Sequence, residues 1–416
     1  MEAFTGWQYL LIDIANQYGL DKETFDVRIA WTADNIKELE EIAHDKEWKE
    51  KPLYLAAVMA LREVQKGKPT GHLVGFDAVC SGMQIMSALT GCEKGAAATG
   101  LISTGERPDA YTYVTNTMSK MLGTALPQGR KMAKEATMTC LYGSKKEPVR
   151  IFGKDTDELN VFYKALYAVA PGACHLLEDL VNSWIPYSKL HEWVLPDGFN
   201  ARCKVYVQQK KRIEVDELNH SRFEYIYYDN EGEEKGLKNA ANVIHSIDAY
   251  ILRSLIRRCS YDIDVVNSAL SCITYEMLQR SVFNQPASAG QSKEPEVQKY
   301  IDLYASTGVA DIVILEHLAV TDFADLSTAH LRALTSVLDT LQTHDPFPVV
   351  TIHDDFKCHV NNMNHLRKHY RNILADLANG TVIDAILSEL QDTDITYTKR
   401  SEGLAQKIMK SEYSLS

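Results

Sequence analysis

The sequence predicts an α+β protein, mostly helical, with a small antiparallel sheet and β-hairpin insertions. Three observations predict it. Apolar residues recur at helical spacing through long stretches such as residues 36–65 and 239–258. From Arg202 to Ile226 the pattern turns to alternation, with Cys203, Val205 and Val207 separated by single residues. Two short apolar or β-branched runs, at 73–76 and 348–352, each lead to an aspartate.

Taken in order, residues 36–65 combine charged residues with the apolar run Leu53 to Leu61 and read as a charge-laced helix. Gly67-Lys68-Pro69-Thr70-Gly71 breaks that pattern, and Leu73-Val74-Gly75-Phe76 forms a strand that ends in Asp77. Helical spacing resumes through Gln84, Met86 and Leu89. Pro108 opens a further helix carrying Asp109, Tyr111 and Tyr113, because proline suits a first helical turn. Pro127-Gln128-Gly129 introduces a helix over 130–143, with Gly143 as its stop. The alternating region continues through Phe223 to Tyr228 and turns at Asp229-Asn230-Glu231-Gly232, so long hairpins are predicted. Helix returns over Asn239–Arg258, with His245, Asp248, Leu252 and Leu255 at helical spacings. Residues 284–291 are small and polar with a proline and a glycine, which makes them the linker candidate, and 329–338 is again helical. Pro348 to Val360 reads as strand, turn and strand, with Asp354 near the tip.

A chain of 416 residues can hold two or three packed units, and 45% hydrophobic with 24% charged residues is ordinary for a globular protein. Eight cysteines occur with no Cys-X-X-Cys spacing, so neither a zinc knuckle nor a disulfide framework is indicated and a reduced, cytosolic protein is expected. The first residues lack a basic n-region, and no stretch approaches the ~20 apolar residues of a membrane span; neither targeting nor membrane is expected. A net charge of −12 argues against coating nucleic acid with the whole surface. Basic residues nevertheless cluster at Arg130/Lys131/Lys134, Lys145/Lys146/Arg150, Lys204/Lys210/Lys211/Arg212 and Arg253/Arg257/Arg258, while acids concentrate between Asp21 and Glu50. A basic channel in an acidic body and a set of scattered solvated faces both fit these counts.

The segment from Arg130 to Gly143 places Arg130, Lys134, Met138 and Tyr142 four residues apart, on one slowly rotating helical face. Two long cations followed by a ring can grip a polyphosphate and then a sugar and base. By itself the stretch also fits an amphipathic surface helix. Asp77 and Asp354, on separate β elements, can share two magnesium ions in the manner of in-line phosphoryl transfer, since magnesium takes hard oxygen ligands. Each acid alone also fits a cap or turn former.

In order, an Asp-ended strand, an Arg-X3-Lys-X7-Tyr-Gly helix and an Ile-His-Asp hairpin resemble motifs A, B and C of the right-hand polymerases. Gly82, five residues after Asp77, replaces the bulky glutamate of the DNA polymerases in that superfamily, and Met138 replaces their aromatic ring. Both choices resemble the single-subunit phage-type DNA-directed RNA polymerases. Phe76 to Gln84 and Arg130 to Lys145 are similar to that family's motifs A and B, and Trp193 to Phe199 and Val243 to Asp248 to two further blocks. Gly19-Leu20-Asp21-Lys22 with Phe25, Arg28 and Ile29 resembles a palm segment, and Lys410 to Ser416 the aromatic C-terminal foot.

The resemblance implies a palm-and-fingers fold and two-metal transfer of ribonucleoside triphosphates onto an RNA 3′ end, templated by DNA. It implies that Asp77 and Asp354, helped by the Ala78 carbonyl, bind two Mg2+ ions. Arg130 and Lys134 hold the triphosphate, Lys134 also donating a proton to the leaving pyrophosphate. Tyr142, Met138, Tyr111, His245 and Gly82 surround the incoming nucleotide, with Tyr142 and His245 selecting ribose, and His353 lies near the RNA 3′ end. For Tyr111, Tyr142 and His245 the residues themselves fit ordinary core positions as well. The implied partition is a first palm part over 1–106, fingers over 107–245 with a specificity-loop-like hairpin at 202–238, and a second palm part over 246–416. That last part contains motif C at 349–360, a foot at 405–416 and an apparent insertion of about 260–340, because His245 and His353 are farther apart than in the family. Glu147 stands where relatives carry an aromatic near the template.

The thumb and N-terminal half of the family precede the segment at which this sequence starts. A second subunit supplying them is therefore expected, as in the heterodimeric RNA polymerases of schitoviruses (podoviruses), together with accessory DNA-binding factors and work in the cytoplasm of an infected bacterium. The competing readings are a family A-type DNA polymerase or primase, and a non-catalytic DNA-binding transcription regulator with a polymerase-like fold.

Overall fold

A computed structural model describes residues 3–45, 50–283, 288 and 290–416, so most of the linker candidate at 284–291 lies outside the described residues. Three strands form the sheet at the centre of the molecule: β1 (Leu73–Asp77), β6 (Val350–Ile352) and β7 (Asp355–His359), in the order β1-β7-β6 and antiparallel throughout. Alternation decides their faces. Val74, Phe76, Phe356 and Cys358 are buried, while Asp77 and Asp355, paired in the register, end on the open side. Between them in chain order come two hairpins: β2 (Leu190–Val194) with β3 (Asn200–Lys204), and the longer β4 (Val207–Val215) with β5 (Ser221–Asp229).

Helices cover the buried face of the sheet. The Gly6–Ala15 helix begins at a capping box between Thr5 and Gln8 and buries Tyr9 to Ala15. Residues 82–90 of the Ser81–Thr90 helix are all buried, and this helix packs against the long Lys238–Cys259 and Met363–Asn379 helices. Leu415 bridges Ala78, and the Ser416 amide donates to the Asp77 carbonyl at 3.1 Å, so the foot lies along the end of β1. A second apolar core gathers Val266, Ile273, Tyr300, Ile301, Leu331, Leu334, Leu338 and Leu341 from the helices Ile263–Val282, Pro295–Thr307 and Thr328–Leu341. Among the described residues no helix is long and apolar enough to cross a membrane.

Several expectations are refined. The stretch 36–65 is two helices, Leu39–Asp45 and Lys51–Gln65, the second with Pro52 in its first turn, where proline is tolerated. Asp109 does not ride on the following helix but caps it: its carboxylate accepts from the Tyr111 amide at 3.3 Å and the Thr112 hydroxyl at 2.6 Å. Regular helix from Arg130 ends at Cys140 rather than Gly143. The Ser144 amide then bonds the Thr139 carbonyl and the Gly143 amide the Cys140 carbonyl, a Schellman stop made possible by φ +88° at Gly143.

The Arg253/Arg257/Arg258 cluster is a correction of a different kind. These cations are paired with carboxylates of distant segments. Arg253 binds Asp197 (2.6 and 3.0 Å), Arg257 bridges Asp197 (3.1 Å) and Asp311 (2.9 Å through each of two nitrogens), and Arg258 meets Asp376 (2.8 Å). Helical spacing aims all three inward, toward acids that local sequence does not reveal.

Candidate active site

A cleft of about 750 Å³ opens above the end of β1 and is lined by Asp77, Ala78, Gly82, Tyr111, Arg130, Lys134, Met138, Tyr142 and Asp354. Its floor is fixed by backbone. Asp77 ends β1 opposite Asp355, and the Ala78 amide donates to the Asp354 carbonyl at 3.1 Å, which seats the two predicted acids on adjoining chains. The β6–β7 turn brings Asp354 there through a left-handed His353 (φ +57°), a conformation in which histidine is over-represented among non-glycine residues. Cys80, also left-handed (φ +56°), turns the chain from Asp77 into the Ser81–Thr90 helix.

The electrostatics of that floor are unbalanced. Asp77 opens onto the cleft but is ringed by chain, and its pKa is pushed up to about 6, by desolvation first and then by the carboxylates of Asp355 and Asp354. Burial and Asp354 together raise Asp248 to about 6. Burial also raises Asp355, although Lys357 binds it at 3.1 Å. Neither Asp77 nor Asp354 has an ion-pair partner among the described residues. Crowded hard oxygens without a neutralising side chain suit a divalent cation of the magnesium type, so the donor set fits that ion.

Opposite stand the cations of the Arg130–Cys140 helix. Arg130 lies 5.3 Å and Lys134 6.0 Å from the centroid of the Tyr111 ring, which packs between them and the cleft floor. Arg130 is held by the Asp109 carboxylate, with a hydrogen bond from its Nε and another of 3.1 Å from its second nitrogen. This pairing raises the Arg130 pKa and, against the upward pull of burial, keeps Asp109 below the usual carboxylate range. Lys134 is exposed and has no ion pair among the described residues. The Tyr111 hydroxyl is pushed up by burial and by its contact with Cys80.

The sugar side is decided by one close approach. A Cβ on Gly82 would stand 2.8 Å from the Tyr142 hydroxyl oxygen and 3.2 Å from its ring carbon, so only glycine lets that ring lie against the helix. Burial, then Asp248, pushes the Tyr142 pKa up to about 12, keeping the hydroxyl protonated as a donor. His245 packs behind Tyr142, ring centroids 4.5 Å apart, and does not itself line the cleft; His353 is exposed on its turn and lies outside the lining as well.

Residues 3–150 match the DNA-dependent RNA polymerase family. That span holds Asp77, Gly82, Tyr111, Arg130, Lys134 and Tyr142, while Asp354 and His245 fall beyond it. In addition, an alignment 172 positions long, covering 33% of this chain, is 28% identical to the DNA-directed RNA polymerase of Pseudomonas phage phiKMV. The similar region is 21% of that relative, so the chain spans about a fifth of its length. Both similarities support kinship with the phage-type RNA polymerases.

Sequence reasoning missed five contributors. Asp109 anchors Arg130 from 21 positions away, a pairing no local pattern displays. Asp355 was visible only as the second half of an acidic pair. Asp248 lies one helical turn past His245, and its signal was that spacing. Asp21 and Lys22, 2.6 Å apart, line the cleft from the segment that resembles the palm.

Proposed function

We propose that this chain is the catalytic part of a DNA-directed RNA polymerase, built as a right-hand palm and fingers, that joins ribonucleoside triphosphates by two-metal nucleotidyl transfer. The observation that carries the reading is the opposition, across one cleft, of the Asp77/Asp354 floor and the Arg130/Lys134 helix, with Gly82 opening space beside Tyr142.

Asp77 and Asp354, with the Ala78 carbonyl beside them, would hold the magnesium ions. When bound, these supply Lewis-acid polarisation of the reacting phosphate and a more nucleophilic RNA 3′-oxygen. Arg130, prevented from wandering by Asp109, orients the triphosphate, and the unpaired Lys134 neutralises the leaving pyrophosphate and can hand it a proton. Tyr142, backed by His245, offers its hydroxyl to a ribose 2′-oxygen that a side chain at position 82 would crowd. Met138 and Tyr111 complete the walls, and His353 would lie near the RNA 3′ end. The long β4–β5 hairpin, with Lys210 to Arg212, would contact DNA, and the chain would work with a second polymerase subunit.

Extension of an RNA primer annealed to DNA tests the chemistry. Ribonucleotides should be incorporated in preference to deoxynucleotides, and Asp354→Asn should end synthesis while template binding persists. A strong deoxynucleotide preference, or undiminished synthesis by the variant, overturns the reading. Processive transcription by the isolated chain would remove the second subunit and leave the chemistry standing.

A further inference from the structure

We propose that His344, His365 and His369 form a binding site for a transition-metal cation of the zinc class, remote from the carboxylate cleft. His365 and His369 lie one turn apart on the Met363–Asn379 helix, which places them on the same face. His344 approaches from the segment between the Thr328–Leu341 helix and β6. Its ring centroid is 4.6 Å from that of His365 and 4.9 Å from that of His369.

The hydrogen bonds prepare nitrogens rather than occupy them. His344 Nδ1 lies 2.8 Å from the Asp345 carbonyl, an acceptor only, so Nδ1 carries the proton and Nε2 presents its lone pair. Orientation of an imidazole by a backbone carbonyl at its other nitrogen is the arrangement that holds metal-ligating histidines. That lone pair points at His369 Nε2, 2.6 Å away, and the two nitrogens share one proton. His369 is only 1% exposed, and its Nδ1 has no hydrogen-bond partner. A cation can replace the shared proton between the two Nε2 atoms, while that proton passes to His369 Nδ1 and the ring stays neutral.

Nitrogen donors select zinc, nickel or copper over magnesium. Zinc–nitrogen bonds of about 2.0–2.1 Å require ligand nitrogens roughly 3.3 Å apart in a tetrahedron, so the pair must part by less than about 1 Å. His344 sits on an irregular segment that can supply the shift. His365 is half-buried with no hydrogen bond among the described residues and can turn a nitrogen toward the pair. Arg258 and Lys368 oppose a cation by their charge, Arg258 being paired with Asp376 at 2.8 Å and Lys368 offset by Asp345; open solvent on the His344 side gives access. The ion would tie the chain leaving the second apolar core to a helix of the first.

Among the described residues the ligand atoms of Glu214, Asp216 and His220 on the β4–β5 hairpin already converge, whereas those of the histidine cluster must close up; the hairpin group is wholly exposed, and Arg222 engages Glu214 at 2.9 Å. It serves as the control. Full-length, chelator-stripped protein in excess Mg2+ is titrated with Zn2+ by calorimetry, and with Co2+ by its visible ligand-field band. One equivalent is expected, with affinity falling at least tenfold in His344→Asn and in His365→Asn and unchanged in His220→Asn. His365 is half-buried and makes no hydrogen bond among the described residues, and an unchanged melting temperature of the metal-free variant checks that its fold is kept. Absence of binding, or affinity unaltered in both variants, overturns the site; loss in His220→Asn alone moves the ion to the hairpin.

Discussion

Two regions of this molecule gather carboxylates within the fold and treat them in opposite ways. Beneath the second core, Asp197 and Asp311 are buried deeper than the acids of the cleft, yet Arg253 and Arg257 satisfy them through five hydrogen bonds, and Arg257 keeps Asp311 below its usual pKa against the pull of burial. In the cleft, Asp77 is more open to solvent but faces Asp354 and Asp355, and its pKa rises to about 6. Partnership outweighs depth in setting the charge state. The ion network is a finished structural joint, whereas in the cleft Asp77 and Asp354 have no ion-pair partner among the described residues.

The largest expected effect lies on the cleft side of this contrast. Asp77→Asn should lower primer extension by at least about 100-fold, the scale on which a single preorganised electrostatic group acts, without lowering the melting temperature. Asp311→Ala should do the reverse. Stranding part of the Arg257 charge in the interior should cost about 3 kcal/mol in urea unfolding, while the nucleotide chemistry survives in the fraction that remains folded. Equal stability losses in the two variants would erase the distinction.

A smaller effect is expected from Gly82→Glu, whose side chain must displace the Tyr142 hydroxyl. Ribonucleotide incorporation should fall about 10- to 100-fold relative to deoxynucleotide incorporation, read from competing substrates. The smallest effect is in the pH profile. With chelator present, Asp77 binds its proton more tightly folded than unfolded, so its contribution is intact below about pH 4 and is lost as pH rises through about 6. Asp311 is lowered, so its contribution is present above its unfolded value and lost as pH falls through the folded one. Melting curves of Asp77→Asn should therefore gain on the wild type between pH 4 and 6, whereas Asp311→Asn should lose most of its deficit on acidification below pH 4. Parallel profiles would show that the two carboxylates are not differently partnered.

Features written in neighbouring residues were legible in the sequence. The β1 run stopping at Asp77, the turn carrying Asp354 and the glycine stop at 143 follow from local pattern and recur in the fold, whereas the β4–β5 hairpin turns at 216–220 and not at 229–232. Contacts between distant segments were not legible. Nothing near Arg130 announces Asp109, and nothing near Arg257 announces Asp311, so one basic cluster read as surface charge is an internal clamp. Gly82 was readable as missing bulk, but its approach to Tyr142 depends on how two helices pack, which composition and spacing do not encode. The second apolar core likewise required three separate helices to be assembled before its shared face became visible.

The hydrogen bond from Ala78 to Asp354 joins positions 276 residues apart in the chain, and it has a kinetic consequence. Pairings of such long sequence separation form late, because the intervening loop must first be closed. During synthesis β1 must wait, with the edge that β7 will pair left open, until the ribosome has released residues 355–359. The helices around Phe76 can collapse earlier and shield that edge from other chains. Truncation before β7 also removes the Met363–Asn379 helix from the main core, so such a fragment should lack the native fold and be prone to aggregate.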